Sequence, residues 1–225
     1  NGEITSAKEL PAWFAVKVGD MVSSKGIPNF QAWQDGLKYA SGAKAFSNDN
    51  VIVNYWETVA WGAADTLGHW GDEGYKVVLS SPDFLYFDFP YEVDPQERGY
   101  YWAARYIDLK RTFGFSPDNM AQNAETIVDR SGNGFSATTK LTQLPIGISG
   151  QQWGETVRTD AQFEYMVYPR LYPLAERAWH KADWELDQQA GQTFGPDSSF
   201  VSTDAIDKQF DRFSNLVAKR YLPVL

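Results

Sequence analysis

Two short apolar runs, VIVNYW (51–56) and YKVVLSS (75–81), constrain this chain more than any other feature. Each is bounded by polar or turn-forming residues, and each adjoins a segment of helical periodicity. Nearly continuous apolar strands of this kind imply cover on both faces, hence a parallel sheet flanked by helices. NFQAWQ (29–34) reads as another short strand. PIGISGQQW (145–153) reads as a fourth, weaker one, because its glycines lower strand propensity.

Helical patterns fill the spaces between. KELPAWFAVKVGDMVSSKGIP places Leu10, Trp13, Phe14, Val18, Met21 and Val22 near one helix face, with Gly26 and Pro28 as stop signals. GLKYASGAKAF, GAADTLGHWGDEG and PQERGYYWAARYIDLKRTF are expected to be helical. Thr159 and Gln162 suit a capping box ahead of FEYMVYPRLYPLAERAW, which Pro169 and Pro173 should kink or break. A last amphipathic helix near 204–219 carries Ile206, Phe210, Phe213, Leu216 and Val217. The order is α(βα)₄ with one long insertion, about 82–144. No repeat or linker divides the chain. A small open α/β sheet and half of a (β/α)₈ barrel both fit. Both architectures put ligand sites at the carboxyl ends of strands, where Trp33, Asp35, Trp56, Glu57, Trp153 and Glu155 fall. No glycine-rich phosphate loop follows any strand, which disfavours a nucleotide-binding sheet.

Composition narrows the function classes. The net charge of −9 without a Lys/Arg cluster argues against nucleic acid and anionic membranes as partners. No apolar run reaches membrane-spanning length. The absence of cysteine excludes disulfides, a thiolate nucleophile and a cysteine metal site. Aromatics make up 16%, and tryptophans recur beside Asp, Glu, Asn and Gln in QAWQDG, VNYWET and GQQWGE. Indoles flanked by hydrogen-bonding groups suit sugar rings, whose C–H faces pack on flat aromatics while their hydroxyls require carboxylates and amides.

The stretches VNYWET, SSPDFLYFDFPYEVDPQERGYYW and GQQWGETVRT…EYMVYPRLYPLAERAWH resemble the C-terminal half of the catalytic barrel of the glycoside hydrolase family 20 β-N-acetylhexosaminidases, the bacterial chitobiases. The likeness runs from about residue 10 to 220. It implies an α/β fold comprising strands 5–8 of a TIM barrel, parallel strands with surrounding helices, and a chain forming one partial catalytic domain over 1–225. It also implies hydrolysis of terminal N-acetylglucosamine from chitobiose or chito-oligosaccharides with retention, the substrate's own acetamido oxygen being the nucleophile. By the resemblance Trp33, Trp56 and Trp153 line the pocket for the terminal sugar. Tyr86 holds the acetamido carbonyl, Asp88 and Glu155 bind hydroxyls, and Trp102 is the platform for the next sugar. No cofactor is implied. The implied partners are an N-acetylglucosamine-containing oligosaccharide and the N-terminal half of the barrel. The implied location is the periplasm or outside the cell.

The family's proton donor belongs to an adjacent Asp-Glu pair ending barrel strand four, in an H-x-G-G-D-E-like motif that this sequence lacks. Asp72-Glu73 precedes the strand at 75–81 and reads as a solvated helix end. The arginine that grips the terminal sugar is likewise expected upstream. The chain is therefore expected to start after strand four, to be inactive alone, and to self-associate through open sheet edges. DRSGNG (129–134) reads as a surface turn, since Lys140 stands where a calcium loop needs Glu. His69 and His180 share no ligand spacing, so no metal site is expected. No G-x-S-x-G elbow occurs, and Arg170, Glu176 and Arg177 read as structural or solvated. A non-catalytic carbohydrate-binding protein and a complete small α/β enzyme using Glu57 or Asp35 are the competing readings.

Overall fold

The computed structural model describes residues 4–220. In chain order its elements are α1 (Leu10–Ser23), β1 (Asn29–Trp33), α2 (Gln34–Leu37), β2 (Asn50–Tyr55), α3 (Ala63–Asp72), β3 (Lys76–Leu79), α4 (Pro82–Leu85), α5 (Leu109–Phe113), β4 (Ala137–Thr138), β5 (Gly147–Ile148), α6 (Asp160–Val167), α7 (Leu171–Trp179), β6 (Thr193–Phe194) and α8 (Thr203–Arg220). The chain forms two compact units. The first takes the described residues up to Trp56 with Thr66–Leu79 and Thr142–Gly147. The second takes Glu57–Asp65, Ser80–Leu141 and the described residues from Ile148 onward.

The first unit is α/β. Its sheet runs β1-β2-β3-β5, with β1/β2 and β2/β3 parallel and Trp33 in register with Asn54. Val51, Val53 and Tyr55 are buried, while Ile52 and Asn54 between them are only half-buried. Burial thus alternates instead of covering both faces as the apolar runs suggested. The second face is also the polar one: Gln31 Nε2 donates to Asn54 Oδ1 at 2.6 Å, and Asn50 Nδ2 to Asn29 Oδ1 at 2.7 Å.

Helix α1 docks through its small residues. Ala15 and Gly19 are buried, and a Cβ on Gly19 would stand 2.7 Å from Phe46. Leu10, Phe14 and Met21 consequently point outward, at 45%, 62% and 67% exposure, contrary to the face expected from periodicity. GLKYASGAKAF is not a helix. It contributes the last turn of α2 and a 3-10 turn at Ala43–Ala45. Gly42, at φ 76°, interrupts it, and the Ala43 amide donates to Glu73 O in place of a helical carbonyl.

In the second unit the expected helix over PQERGYYWAARYIDLKRTF is realised only as α5, capped by Asp108, whose side chain accepts from the Arg111 amide at 2.7 Å. Upstream, backbone groups find partners on a neighbouring segment: Tyr100 N–H donates to Asp88 O and Ile107 N–H to Pro90 O. Gly99 makes this approach feasible. It sits at φ 134°, and a Cβ there would lie 2.5 Å from Asp88 O. The fourth strand is shorter than expected. Beyond β5 it continues as a parallel bridge between Gln151 and Tyr86, with Phe87 N–H donating to Gln151 O at 2.7 Å.

The late helix breaks at Tyr168–Arg170 into α6 and α7. Pro173 lies in the first turn of α7, where its missing N–H costs no helical bond. Thr159 caps α6, accepting from the Gln162 amide, whereas the Gln162 side chain reaches the Arg158 amide and not that of Thr159. Below lies an aromatic core in which Phe113 meets Trp184, Phe210 and Phe213. Helix α8 buries Ile206 and Val217, and Leu216 faces outward.

Candidate functional site

In the first unit Trp33 ends β1 and Trp56 follows β2, both half-buried. Trp56 is tied down twice: its indole Nε1 donates to Asp35 Oδ2 at 2.6 Å, and its amide to Gln34 Oε1 at 2.8 Å. Asp35 also pairs with Lys38 at 3.3 Å. Asp35 therefore serves to orient an indole. Glu57 is half-buried.

In the second unit five of the sequence-derived residues converge. Tyr86 is buried, with ring centroids 6.0 Å from Trp102 and 6.2 Å from Trp153. Phe89 backs Trp102 at 5.6 Å. Asp88 lies between the buried Phe87 and Phe89 and is 1% exposed, with no hydrogen-bond partner on either carboxylate oxygen. Burial pushes its pKa up to about 7, and the negative charge of Glu155 adds to the effect. Glu155 itself is exposed, two residues beyond the 38% exposed Trp153. A buried carboxylate without protein donors can accept from hydroxyl or amide groups.

The segment 86–89 is held by Arg170, which reads from the sequence as structural or solvated and which is buried. Arg170 is fully buried and donates to the carbonyls of Phe87 (2.5 Å), Phe89 (2.7 Å), Ile107 (3.0 Å) and Met166, with its guanidinium 4.0 Å over the Tyr91 ring. Phe87 and Asp88 form a turn and Phe89 a bend, so Arg170 fixes the carbonyls of a non-repetitive segment that follows the Tyr86 bridge. The available signal was a lone cation inside the apolar stretch YPRLYP. Gly150, just before Gln151, permits the same close packing, since a Cβ there would stand 2.5 Å from Leu174 and 2.8 Å from Phe87.

Asp83 was not singled out from the sequence. It is buried, accepts from the Val59 amide at 3.0 Å, and has its pKa pushed up to about 6 by burial. Asp72 and Glu73 are exposed at the end of α3 and just beyond it. Arg177 is buried against Glu185 at 2.6 Å, and Glu176 pairs with His180 at 2.7 Å. Asp129 accepts the amides of Ser131 and Asn133 within a surface turn. Among the described residues no three His, Cys, Asp or Glu side chains gather as a metal site, and no helix is long and apolar enough to cross a membrane. A separate cavity of about 380 Å³, lined by Tyr106, Lys110, Arg111 and the start of α8, contains none of the candidate residues.

Residues 1–182 match the catalytic domain of glycosyl hydrolase family 20. The chain belongs to this family. It is 49% identical to the N,N'-diacetylchitobiase of Vibrio harveyi over the whole of this chain and 26% of that protein. It is 39% identical to a β-hexosaminidase of Vibrio vulnificus over 99% of this chain and 27% of that one. This family-20 chain thus spans about a quarter of the length of the curated relatives it matches. Its fold is similar to that of the exo-β-N-acetylglucosaminidase of Vibrio harveyi solved with N-acetylglucosamine, with a TM-score of 0.56 at 19% identity over 95% of this chain and 27% of that one. It is also similar to the β-N-acetylhexosaminidase of Bacteroides fragilis, with a TM-score of 0.59 at 18% identity over 97% of this chain and 36% of that one.

Proposed function

We propose that this family-20 chain supplies strands 5–8 of a (β/α)₈ barrel in a β-N-acetylhexosaminidase, which removes terminal N-acetylglucosamine from chitobiose and chito-oligosaccharides. The observation that carries the reading is the buried carboxylate of Asp88, with both acceptors unfilled and the charge of Glu155 acting on it, two residues along the chain from Tyr86, whose ring meets Trp102 and Trp153. The names of the Vibrio relatives, a chitobiase and a β-hexosaminidase, support the same substrate class.

In this reading Trp33, Trp56 and Trp153 wall the terminal sugar and fold its acetamido group beneath C1. The Tyr86 hydroxyl donates to the acetamido carbonyl and aims its oxygen at C1. Attack there displaces the leaving sugar and leaves a cyclic oxazolinium, which water opens with net retention. Converting that attack into a well-oriented intramolecular one is worth up to about 7–11 kcal/mol. Asp88 and Glu155 accept from sugar hydroxyls, and Trp102 stacks the leaving sugar. No Asp-Glu pair ends a strand of this chain, so the proton donor comes from the N-terminal half of the barrel. That half also meets the open edges of the sheet, which otherwise favour self-association. No cofactor enters the chemistry, and a periplasmic or extracellular site of action follows from the substrate class.

The test is an assay with an aryl N-acetyl-β-glucosaminide. The chain alone is expected to give no turnover above buffer. The full-length polypeptide should turn over, and Tyr86→Phe in it should lower kcat at least tenfold with little change in KM. Turnover by the chain alone would refute the division of labour, and an inactive full-length protein would favour a sugar-binding role without hydrolysis.

A further inference from the structure

Trp61 belongs to none of the stretches that carry the family resemblance, yet its environment is unusual for a surface aromatic. Its ring centroid lies 5.7 Å from that of Trp102 at a 36° tilt, and the residue is 52% exposed. It continues a line of rings: Trp153 to Tyr86 at 6.2 Å, Tyr86 to Trp102 at 6.0 Å, Trp102 to Trp61 at 5.7 Å. Exposure is high at both ends of the line, and Tyr86 in the middle is buried.

The backbone beneath Trp61 is fixed from the interior. Thr58, fully buried, caps the 3-10 turn Val59–Trp61 by accepting the Trp61 amide at 3.0 Å. Asp83 Oδ2, also buried, accepts the Val59 amide at 3.0 Å. Val59 is 2% exposed, and Gly62 at φ 97° closes the turn. A buried carboxylate and a buried hydroxyl are thus committed to a turn that projects a large indole outward. Nothing in folding requires that projection, since an exposed indole gains little by burial. An indole on a fixed turn and packed against Trp102 does suit ligand contact, because less freedom remains to be lost on binding.

We propose that Trp61 is a platform for a sugar ring beyond the one that Trp102 stacks, so that the site is built for chito-oligosaccharides longer than the disaccharide. This rests on the carbohydrate reading of the site. Each step along the ring line presents another apolar face on which the C–H surface of a successive sugar packs. Thr58 and Asp83 act as positioning residues for that face.

The experiment compares wild type, Trp61→Ala and Trp61→Phe in the full-length protein, on an aryl N-acetylglucosaminide, chitobiose, chitotriose and chitotetraose. A lost aromatic contact of ordinary size predicts that Trp61→Ala lowers kcat/KM about three- to tenfold on the trimer and tetramer, chiefly through KM. The aryl glycoside should stay within twofold, and Trp61→Phe should recover most of the loss. A uniform loss on every substrate would indicate a merely structural role and overturn the proposal, as would no loss on any. If wild type turns over none of these substrates, the hydrolase reading fails separately. Calorimetric titration of the same three proteins with N-acetylglucosamine and chitotetraose then decides: weaker tetramer binding by Trp61→Ala with unchanged monomer binding supports the platform, and equal affinities refute it.

Discussion

Arg170→Met should be among the most damaging single changes available in this chain. The guanidinium is fully buried and donates to four backbone carbonyls, three of them more than sixty residues away along the sequence. Methionine fills a similar volume but donates nothing. The carbonyls of Phe87, Phe89 and Ile107 would lose their Arg170 donor in a water-poor interior, at about 1–3 kcal/mol each. Against this stands relief of the desolvation that the buried cation suffers, the same effect that lowers its pKa from the usual arginine value. The net expectation is the range for breaking a buried charged network, about 3–5 kcal/mol. Urea unfolding of the chain, followed by tryptophan fluorescence, should show the midpoint fall accordingly. Near-UV circular dichroism should also change, because Tyr86 and Phe89 lie on the released segment and Trp102 packs against both. Arg170→Lys, with three donors and no planar fork, should fall between. A loss below about 1 kcal/mol for Arg170→Met, with an unchanged near-UV spectrum, would refute the clamp.

Three further outcomes follow from the same geometry. Asp83 and Asp88 have folded pKa values raised to about 6 and about 7, so their neutral forms favour the fold. Their contribution is complete below about pH 4 and is lost as pH rises through those values. The stability of Asp88→Asn relative to wild type should therefore climb between pH 4 and 8 in urea titrations, and a flat difference would contradict the burial argument. Gly99→Ala should cost about 2 kcal/mol or more, since φ 134° and a backbone oxygen 2.5 Å from the added carbon leave no room to relax; thermal melts measure this. Asp35→Ala should change stability by about 1 kcal/mol or less while freeing the Trp56 indole. Sugar affinity in calorimetry should then drop severalfold.

The Vibrio relatives and the tryptophan-rich motifs point to one enzyme class, and the geometry adds how the pieces of the site are held. Tyr86 and Asp88 lie two residues apart in a segment whose backbone bonds both to Gln151 and to Arg170. Trp56 is oriented by an aspartate that was itself a candidate for chemistry.

Period and composition determined the strands near 29–33, 50–55 and 76–79, the parallel α/β class, and the helices α1, α3 and α8, because these depend on local propensity and on which residues avoid water. The aromatic-and-carboxylate character of the site was legible for the same reason: residue type alone limits the chemistry. Tertiary structure decided the rest. PQERGYYWAARYI has helical spacing, but its amides found Asp88 and Pro90 carbonyls, and Gly99 let the backbones touch. Helix α1 turned its small residues inward because close approach to Phe46 outweighed burial of Phe14 and Met21. Arg170 became a clamp through carbonyls more than sixty residues away, and the turn before Trp61 is pinned in part by Asp83, contacts that no local pattern encodes.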